Sequence, residues 1–266
     1  TIYIFPRVDD AEYIWIDAAG PAWPQHPSDL RKMVAELLAD DFGVAAADDG
    51  YLLLQRGAPS DVLPPAFFRY WQRAEEAVSE PPLARGEVWE ERLQLHTVAA
   101  GADRNGELLV TAHWETLQPS DEDLRFYFGL LDAEGKILHD SRFYPPAAVL
   151  WYPTSLWQPG PPGVTVTTLP WTLAVDRFTL VMGVYRGEDG WEAGDRLQLT
   201  TVASDSVAAE NDTLLRIGAF ERSPTGGWQP VPPATLDAGP PRLLDVEVAG
   251  SFRLAAVAVP ETVKSG

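Results

Sequence analysis

Four histidines, His26, His96, His113 and His139, are the residues of this chain best suited to acid–base or metal chemistry. None stands at His-x-x-x-His or similar ligand spacing, and there is no cysteine whose thiolate could complete a zinc site. His96 and His113 fall on the polar faces of alternating segments, where solvation or cross-strand packing accounts for them. His139 is followed by Asp140 and leads into an aromatic, proline-rich stretch; the two read either as a turn pair or as an acid–base pair. Carboxylates cluster at Asp9-Asp10, Asp48-Asp49, Asp121-Glu122-Asp123 and Glu188-Asp189. Glycoside cleavage needs two carboxylates facing each other across a cleft, which spacing along a chain does not establish. All four clusters fall in predicted turns, where Asp bonds its own backbone. Asp121 with Asp123, and the Gly187-to-Asp195 loop, offer oxygen ligands to calcium, but no twelve-residue EF-hand pattern accompanies them. A Gly-x-Ser-x-Gly elbow, a P-loop and a dinucleotide fingerprint are absent. The sequence therefore gives no catalytic residue, metal ligand or cofactor to expect.

The aromatics say more. Tyr144, Trp151, Tyr152, Trp157 and Trp171 are crowded together and interleaved with proline. Exposed, such rings form a platform that stacks on sugar faces; buried, they cap the open end of a core, since Trp supplies a large apolar area. Both readings concern the same stretch, so Trp151, Tyr152, Trp157, Tyr144, His139 and Asp140 are the candidate ligand-binding residues.

These side chains need a scaffold, and hydrophobic periodicity describes one. Ile2 to Phe5 reads as a short strand stopped by Pro6, and Tyr13 to Ile16 as an unbroken apolar run expected of a strand buried on both faces. A helix begins near Ser28 as N-cap; Leu30, Met33, Val34, Leu37 and Leu38 form its apolar stripe, and Gly43 stops it. Asp49-Gly50 is a hairpin signal between Val44–Ala47 and Tyr51–Gln55. Prolines 59, 64, 65, 81 and 82 bracket a predicted helix over 66–78, with Phe67, Tyr70, Trp71 and Ala74 on one face, read as a connector. From Glu87 the pattern turns to period two: Leu93 to Val98, Leu108 to Trp114, Leu124 to Leu130 and Lys136 to His139. Further strands follow at Val164–Thr168, Phe178–Tyr185, Leu197–Val202, Leu214–Phe220 and, in pieces, Leu244–Val259. Alternation predicts one wet and one buried face per strand, hence antiparallel sheets. The expected fold is α+β, mainly β: a small N-terminal α/β domain (1–57), a Pro-rich linker with a helix (58–86), and an antiparallel β-sandwich, jelly-roll or Ig-like (87–260). Arg92–Ala99 echoes Arg196–Ala203, and Glu107–Glu115 echoes Thr213–Glu221, as a duplicated hairpin would or as two strands solving the same packing problem.

With 266 residues, 45% of them hydrophobic, and ten tryptophans, the chain can bury a substantial core. Its formal charge of −19 and lack of a basic stripe argue against nucleic acid as a partner. No apolar run reaches the length of a membrane span, and no signal peptide is visible. The start on Thr1, without Met and directly inside an apparent strand, reads as a fragment of a longer protein.

Two motif groups resemble known bacterial sequences. Tyr3-Ile4-Phe5-Pro6, Ala11-Glu12-Tyr13-Ile14-Trp15-Ile16-Asp17, Gly43-Val44 and Asp49 to Gly57 resemble the soluble C-terminal region of polytopic membrane proteins of the domain of unknown function 2079 family. Those proteins are themselves similar to membrane-embedded glycosyltransferases that use lipid-linked sugars. The Trp114 strand, Phe128-Gly129-Leu130-Leu131-Asp132 before Gly135, Pro153 to Gly160, Gly183-Val184-Tyr185 and Arg196-Leu197 resemble a β-sandwich module appended to such enzymes. The resemblance implies an extracytoplasmic region at a bacterial membrane, attached to a membrane-embedded parent chain and engaging glycan or lipid-linked sugar. It carries no catalytic residue. A free-standing carbohydrate hydrolase and a structural protein-interaction module are the alternatives.

Overall fold

The computed structural model describes residues 11–19, 26–72, 86–142, 144–187, 193–203, 208–224, 226–231, 246–248 and 252–254. The expected strand Ile2–Phe5 and the clusters Asp9-Asp10 and Glu188-Asp189 lie outside them, as does most of the Gly187-to-Asp195 loop.

The fold is mainly β with antiparallel sheets, as the alternation predicts. Near the N-terminus, β1 (Tyr13–Asp17), β2 (Phe42–Asp48) and β3 (Tyr51–Arg56) form a three-stranded sheet in the order β1-β3-β2, backed by helix α1 (Pro27–Asp40). Ile16, Leu52 and Leu54 from the sheet and Leu30 and Val34 from the helix are buried together. The β2–β3 turn is the hairpin the Asp-Gly pair foretold: Asp49 and Gly50 both take positive φ, 51° and 82°, the geometry of a two-residue type I′ loop.

Three local expectations are corrected. The helix is capped by His26, whose Nδ1 accepts the Ser28 N–H at 3.2 Å, because Pro27 suits the first helical position, where its missing N–H goes unneeded. Gly43 does not stop the helix; it sits in β2, where a Cβ would fall 2.1 Å from the Ala58 carbonyl oxygen, so glycine is required by the close backbone approach of 58–60. Over the described part of the helix expected at 66–78, Pro65–Tyr70 forms a 3-10 segment, and residues 73–85 lie outside the described set. The carbonyls of Ala66 and Phe67 accept the N–H groups of Asp49 and Gly50 at 2.9 and 2.8 Å, so they are spent on the hairpin turn rather than on a growing α-helix.

The larger part is a sandwich. One sheet contains β4 (Glu87–Trp89), β5 (Leu93–Ala102), β6 (Leu108–Thr116), β9 (Val164–Thr167) and β11 (Leu199–Thr201) in the order β11-β4-β5-β6-β9. The other contains β7 (Arg125–Leu131), β8 (Ile137–Asp140), β10 (Arg177–Tyr185), β12 (Ala208–Ala209) and β13 (Leu214–Arg222) in the order β12-β13-β10-β7-β8, with β14 (Trp228–Pro230) also on β13. A separate hairpin pairs β15 (Val246–Val248) with β16 (Phe252–Leu254). The sequence echo is not a duplicated hairpin. β5 and β6 pair with each other, whereas β11 and β13 belong to different sheets. Like sequences here solve like packing problems.

The wet outer face expected of β7 and β10 is also corrected. Tyr127, Val181, Tyr185 and Leu214 form a second buried cluster there. Gly129 and Gly183 make this layer: a Cβ on Gly129 would lie within 2.6 Å of the Tyr127 ring, and one on Gly183 within 2.8 Å of Leu214. Large side chains fold flat over bare glycine and close the face from solvent.

One hydrophobic core runs from Ile16 to Trp228 through both regions. Ring contacts trace it: Trp89 to Trp114 (5.3 Å between centroids), Trp114 to Phe126 (4.6 Å), Phe126 to Trp157 (5.6 Å), Trp157 to Tyr152 (6.2 Å), and Tyr152 to Phe68 (4.7 Å). Phe67, next to Phe68, then meets both Trp71 and Trp151. A backbone bond from Thr165 N–H to the Trp71 carbonyl (2.8 Å) fastens the connector to β9. Phe67→Ala would open a cavity at this junction and cost roughly 3–5 kcal/mol. Urea unfolding followed by tryptophan fluorescence and by far-UV circular dichroism should show one coincident, lowered transition; separate transitions would contradict a shared core.

Candidate functional site

The stretch between β8 and β9 carries the chain from an edge of one sheet to an edge of the other, through α2 (Ala147–Trp151) and a 3-10 turn (Thr154–Leu156). Trp151, Tyr152 and Trp157 are core, so these three candidates form no exposed platform for stacking. Trp151 and Trp157 are each 1% exposed and Tyr152 is 4% exposed. Trp157 Nε1 donates to the Tyr152 carbonyl (2.8 Å), and Gln72 Nε2 donates to the Tyr152 hydroxyl (2.8 Å), so the stretch is tied to itself and to the connector. Prolines break the local backbone so that successive rings can turn inward. Of the six candidates only Tyr144 is well exposed, at 47%.

His139 and Asp140 point to opposite sides of β8, because successive side chains of a strand alternate. Asp140 lies opposite Gly129 on the outer face, and His139 opposite Leu130 on the inner one. The Asp140 carboxylate is taken by Arg142 in a two-pronged pair, Nε to Oδ1 at 3.0 Å and a terminal nitrogen to Oδ2 at 2.6 Å, with both side chains nearly buried. That pair sits against Tyr127, whose phenol is pushed up to about 12 by burial first and by Asp140 second. His139 packs on Trp171 at 4.5 Å and on Tyr144 at 6.3 Å; burial lowers its pKa against the smaller pull of Asp140. The two therefore form no acid–base pair.

His96, His113 and the carboxylates around Glu122 are engaged structurally. His96 pairs with Glu115 across β5 and β6, with His113 beside it at 6.0 Å, and His113 Nδ1 bonds Thr165 Oγ1 at 3.1 Å. Glu122 and Glu90 converge on Arg186, and Asp123 accepts from the Ser155 hydroxyl at 2.6 Å. Among the described residues no group of three or more His, Asp or Glu is placed to hold a metal ion. Nor is any described helix long and apolar enough to cross a membrane.

Besides Tyr144, exposed rings gather on the N-terminal sheet. Among the described residues β1 is an edge strand, and it is not the doubly buried one its apolar run predicts: Tyr13 is 51% exposed and Trp15 50%, with Tyr51 of β3 at 43%. Their side chains share the outer face of the three-stranded sheet, opposite α1. Register places Asp17, Tyr51 and Asp48 in one row, Trp15, Leu53 and Ala46 in the next, and Tyr13, Gln55 and Gly43 in the third. Trp15 and Tyr51 stack diagonally across the strands, 5.4 Å apart and 15° from parallel. Gln55 Nε2 donates to the Tyr13 hydroxyl at 3.2 Å. The legible signal was alternation: in Tyr13-Ile14-Trp15-Ile16 both aromatics fall on one face and both isoleucines on the other, beneath a run that looks uniformly apolar.

Compared with known proteins, the chain matches no family model, no curated protein and no solved structure.

The Tyr127 phenol holds its proton more tightly folded than unfolded. Its contribution is therefore intact below the ordinary value of 10 and is lost as pH rises through about 12. Stability of the natural chain should fall by roughly 2–3 kcal/mol more than that of Tyr127→Phe across this window. Urea melts at matched pH values check it; parallel curves would contradict the buried setting of the ring.

Proposed function

We propose that this chain is a non-catalytic, extracytoplasmic, glycan-recognising region of a membrane glycosyltransferase-like protein, and that its recognition surface is the outer face of β1, β3 and β2. The stacked, half-exposed Trp15–Tyr51 pair carries the reading. A soluble surface scatters its large apolar residues singly, and a contiguous aromatic patch marks a binding surface. Here three rings share one rigid sheet face, with an amide at Gln55 and carboxylates at Asp17 and Asp48 in the same grid.

Sugars suit that composition. The C–H faces of a pyranose pack on flat rings, while its hydroxyls donate to carboxylates and exchange hydrogen bonds with an amide. His96, His113, Asp140, Glu90, Glu122 and Asp123 are bound up in structural pairs, which supports recognition rather than turnover. The membrane-bound parent and its glycosyltransferase character rest on the sequence resemblance alone.

Glycan-array screening followed by calorimetric titration tests the recognition surface. Trp15→Ala should weaken the best glycan by about 2 kcal/mol, roughly thirtyfold in Kd. Because the ring is half exposed, its thermal midpoint should barely move. Trp157→Ala should do the reverse, lowering stability through the core. Unchanged affinity in Trp15→Ala would remove this face from the function.

A further inference from the structure

We infer that the outer face of β1, β3 and β2 binds an extended glycan chain, a trisaccharide or longer, laid along the strands, and not a single sugar. A lone sugar on a lipid-linked donor is too short to cover the face, whereas a polysaccharide chain covers it whole. This inference rests on the glycan-recognition reading and adds to it the length class of the ligand.

The order of the rings carries the inference. Outward side chains of a strand recur at every second residue, about 7 Å apart. Register puts Tyr13 in one row, Trp15 in the next and Tyr51 in the one after. The three half-exposed rings therefore follow one another over about 14 Å along the strands. Both ties between them cross the β1–β3 pair: Trp15 stacks on Tyr51, and the Tyr13 hydroxyl accepts from Gln55. The rings thus make a line over two strands, not a cluster around a point. A pyranose is about the size of one such ring, so a monosaccharide covers one of them. A trisaccharide is the shortest chain that reaches all three.

The surroundings keep a ligand on that course. Crossing from β1 to β2, one row reads Trp15, Leu53, Ala46 and the next Tyr13, Gln55, Gly43, so side-chain size falls away on the β2 side of the line. Past this low strip the backbone of 58–60 closes over Gly43, and the Ser60 carbonyl accepts the Val44 N–H at 2.6 Å. The strip runs parallel to the strands between the rings and that backbone. The β2–β3 turn ends the line beyond Tyr51. At the Tyr13 end, among the described residues, nothing closes it: Glu12 is exposed, and at Gly57, beyond Gln55, a Cβ would meet nothing within 4 Å. A longer chain runs on past Tyr13 without collision and without further contact. Each ring covered is worth about three- to tenfold in affinity, the range of a single ring contact. Affinity should climb with each sugar up to the trisaccharide and then level off.

Titration calorimetry of the whole chain tests this, with unbranched gluco-, manno- and N-acetylglucosamine series from monosaccharide to hexasaccharide as probes. In the series that binds, the trisaccharide should exceed the monosaccharide at least about tenfold. The hexasaccharide should gain no more than about fivefold over the trisaccharide, from the extra registers in which it can sit. Tyr13→Ala should remove most of the step between disaccharide and trisaccharide. The length series uses the natural chain, so it decides the matter even where a variant is destabilised. A monosaccharide binding as tightly as the trisaccharide, or Tyr13→Ala keeping that step, would overturn the extended-chain inference while leaving glycan recognition standing. A hexasaccharide weaker than the trisaccharide would do the same, because the line would then be closed at Tyr13. Binding of no sugar of any length would overturn both. So would sedimentation showing that the chain self-associates and that Trp15→Ala disperses it, because the face would then serve a second copy.

Discussion

The structure depends on the burial of aromatic rings where the N-terminal sheet, the connector and the sandwich meet. A three-stranded sheet with one helix buries too little area to be robust alone. Phe67, Phe68 and Trp71, carried on a 3-10 segment, lend it the larger core by packing on Trp151 and Tyr152. The same rings close the end of the sandwich, through Trp157 on Phe126. The proline-rich excursion thus does two jobs with one set of side chains: it moves the chain between sheets and fills the gap that the crossing leaves.

That arrangement explains why most rings of the densest aromatic stretch are buried. A tryptophan side chain gains most from full burial, and the excursion provides it because no strand pairing constrains the direction of its rings. On β1 and β3 the pleat fixes the directions instead. Ile14 and Ile16 claim the inner side, so Tyr13 and Trp15 must face outward. Among the described residues no element packs over them. The rings stay on the wet side at a cost in solvation, and this cost is what motivates the proposed recognition surface.

Much of the scaffold was legible because period two survives wherever one sheet face meets water. β5 and β6, whose outer faces carry His96, His113 and Glu115, could be drawn from the sequence. So could the Asp49-Gly50 hairpin, where the backbone itself demands positive φ. Alternation lost its meaning in β7 and β10, where Gly129 and Gly183 let Tyr127 and Leu214 close the second face. A glycine inside a strand is the trace such a layer leaves. The connector misled for a different reason: its helical spacing was real, but its carbonyls were claimed by a turn some twenty residues earlier, a partner that sequence periodicity does not contain. Ring density registers hydrophobic area, not exposure, so it left platform and core unseparated at Trp151, Tyr152 and Trp157, which the structure buries. His139 and Asp140 looked like partners because they are neighbours in sequence, yet neighbours on a strand face apart.

Recognition and core are finally one problem. A binding face gains affinity when its groups are already ordered, since immobilising free side chains on contact costs free energy. Here the Trp15–Tyr51 stack and the Gln55–Tyr13 hydrogen bond order the rings against one another. Strand register fixes Asp17 and Asp48 beside them. That register holds only while β3 stays paired on both sides, and its turn is clamped by the carbonyls of Ala66 and Phe67. Phe67 is in turn anchored among Trp71 and Trp151. The buried aromatics therefore act on the exposed ones through two backbone hydrogen bonds, which hold the geometry of the proposed recognition face.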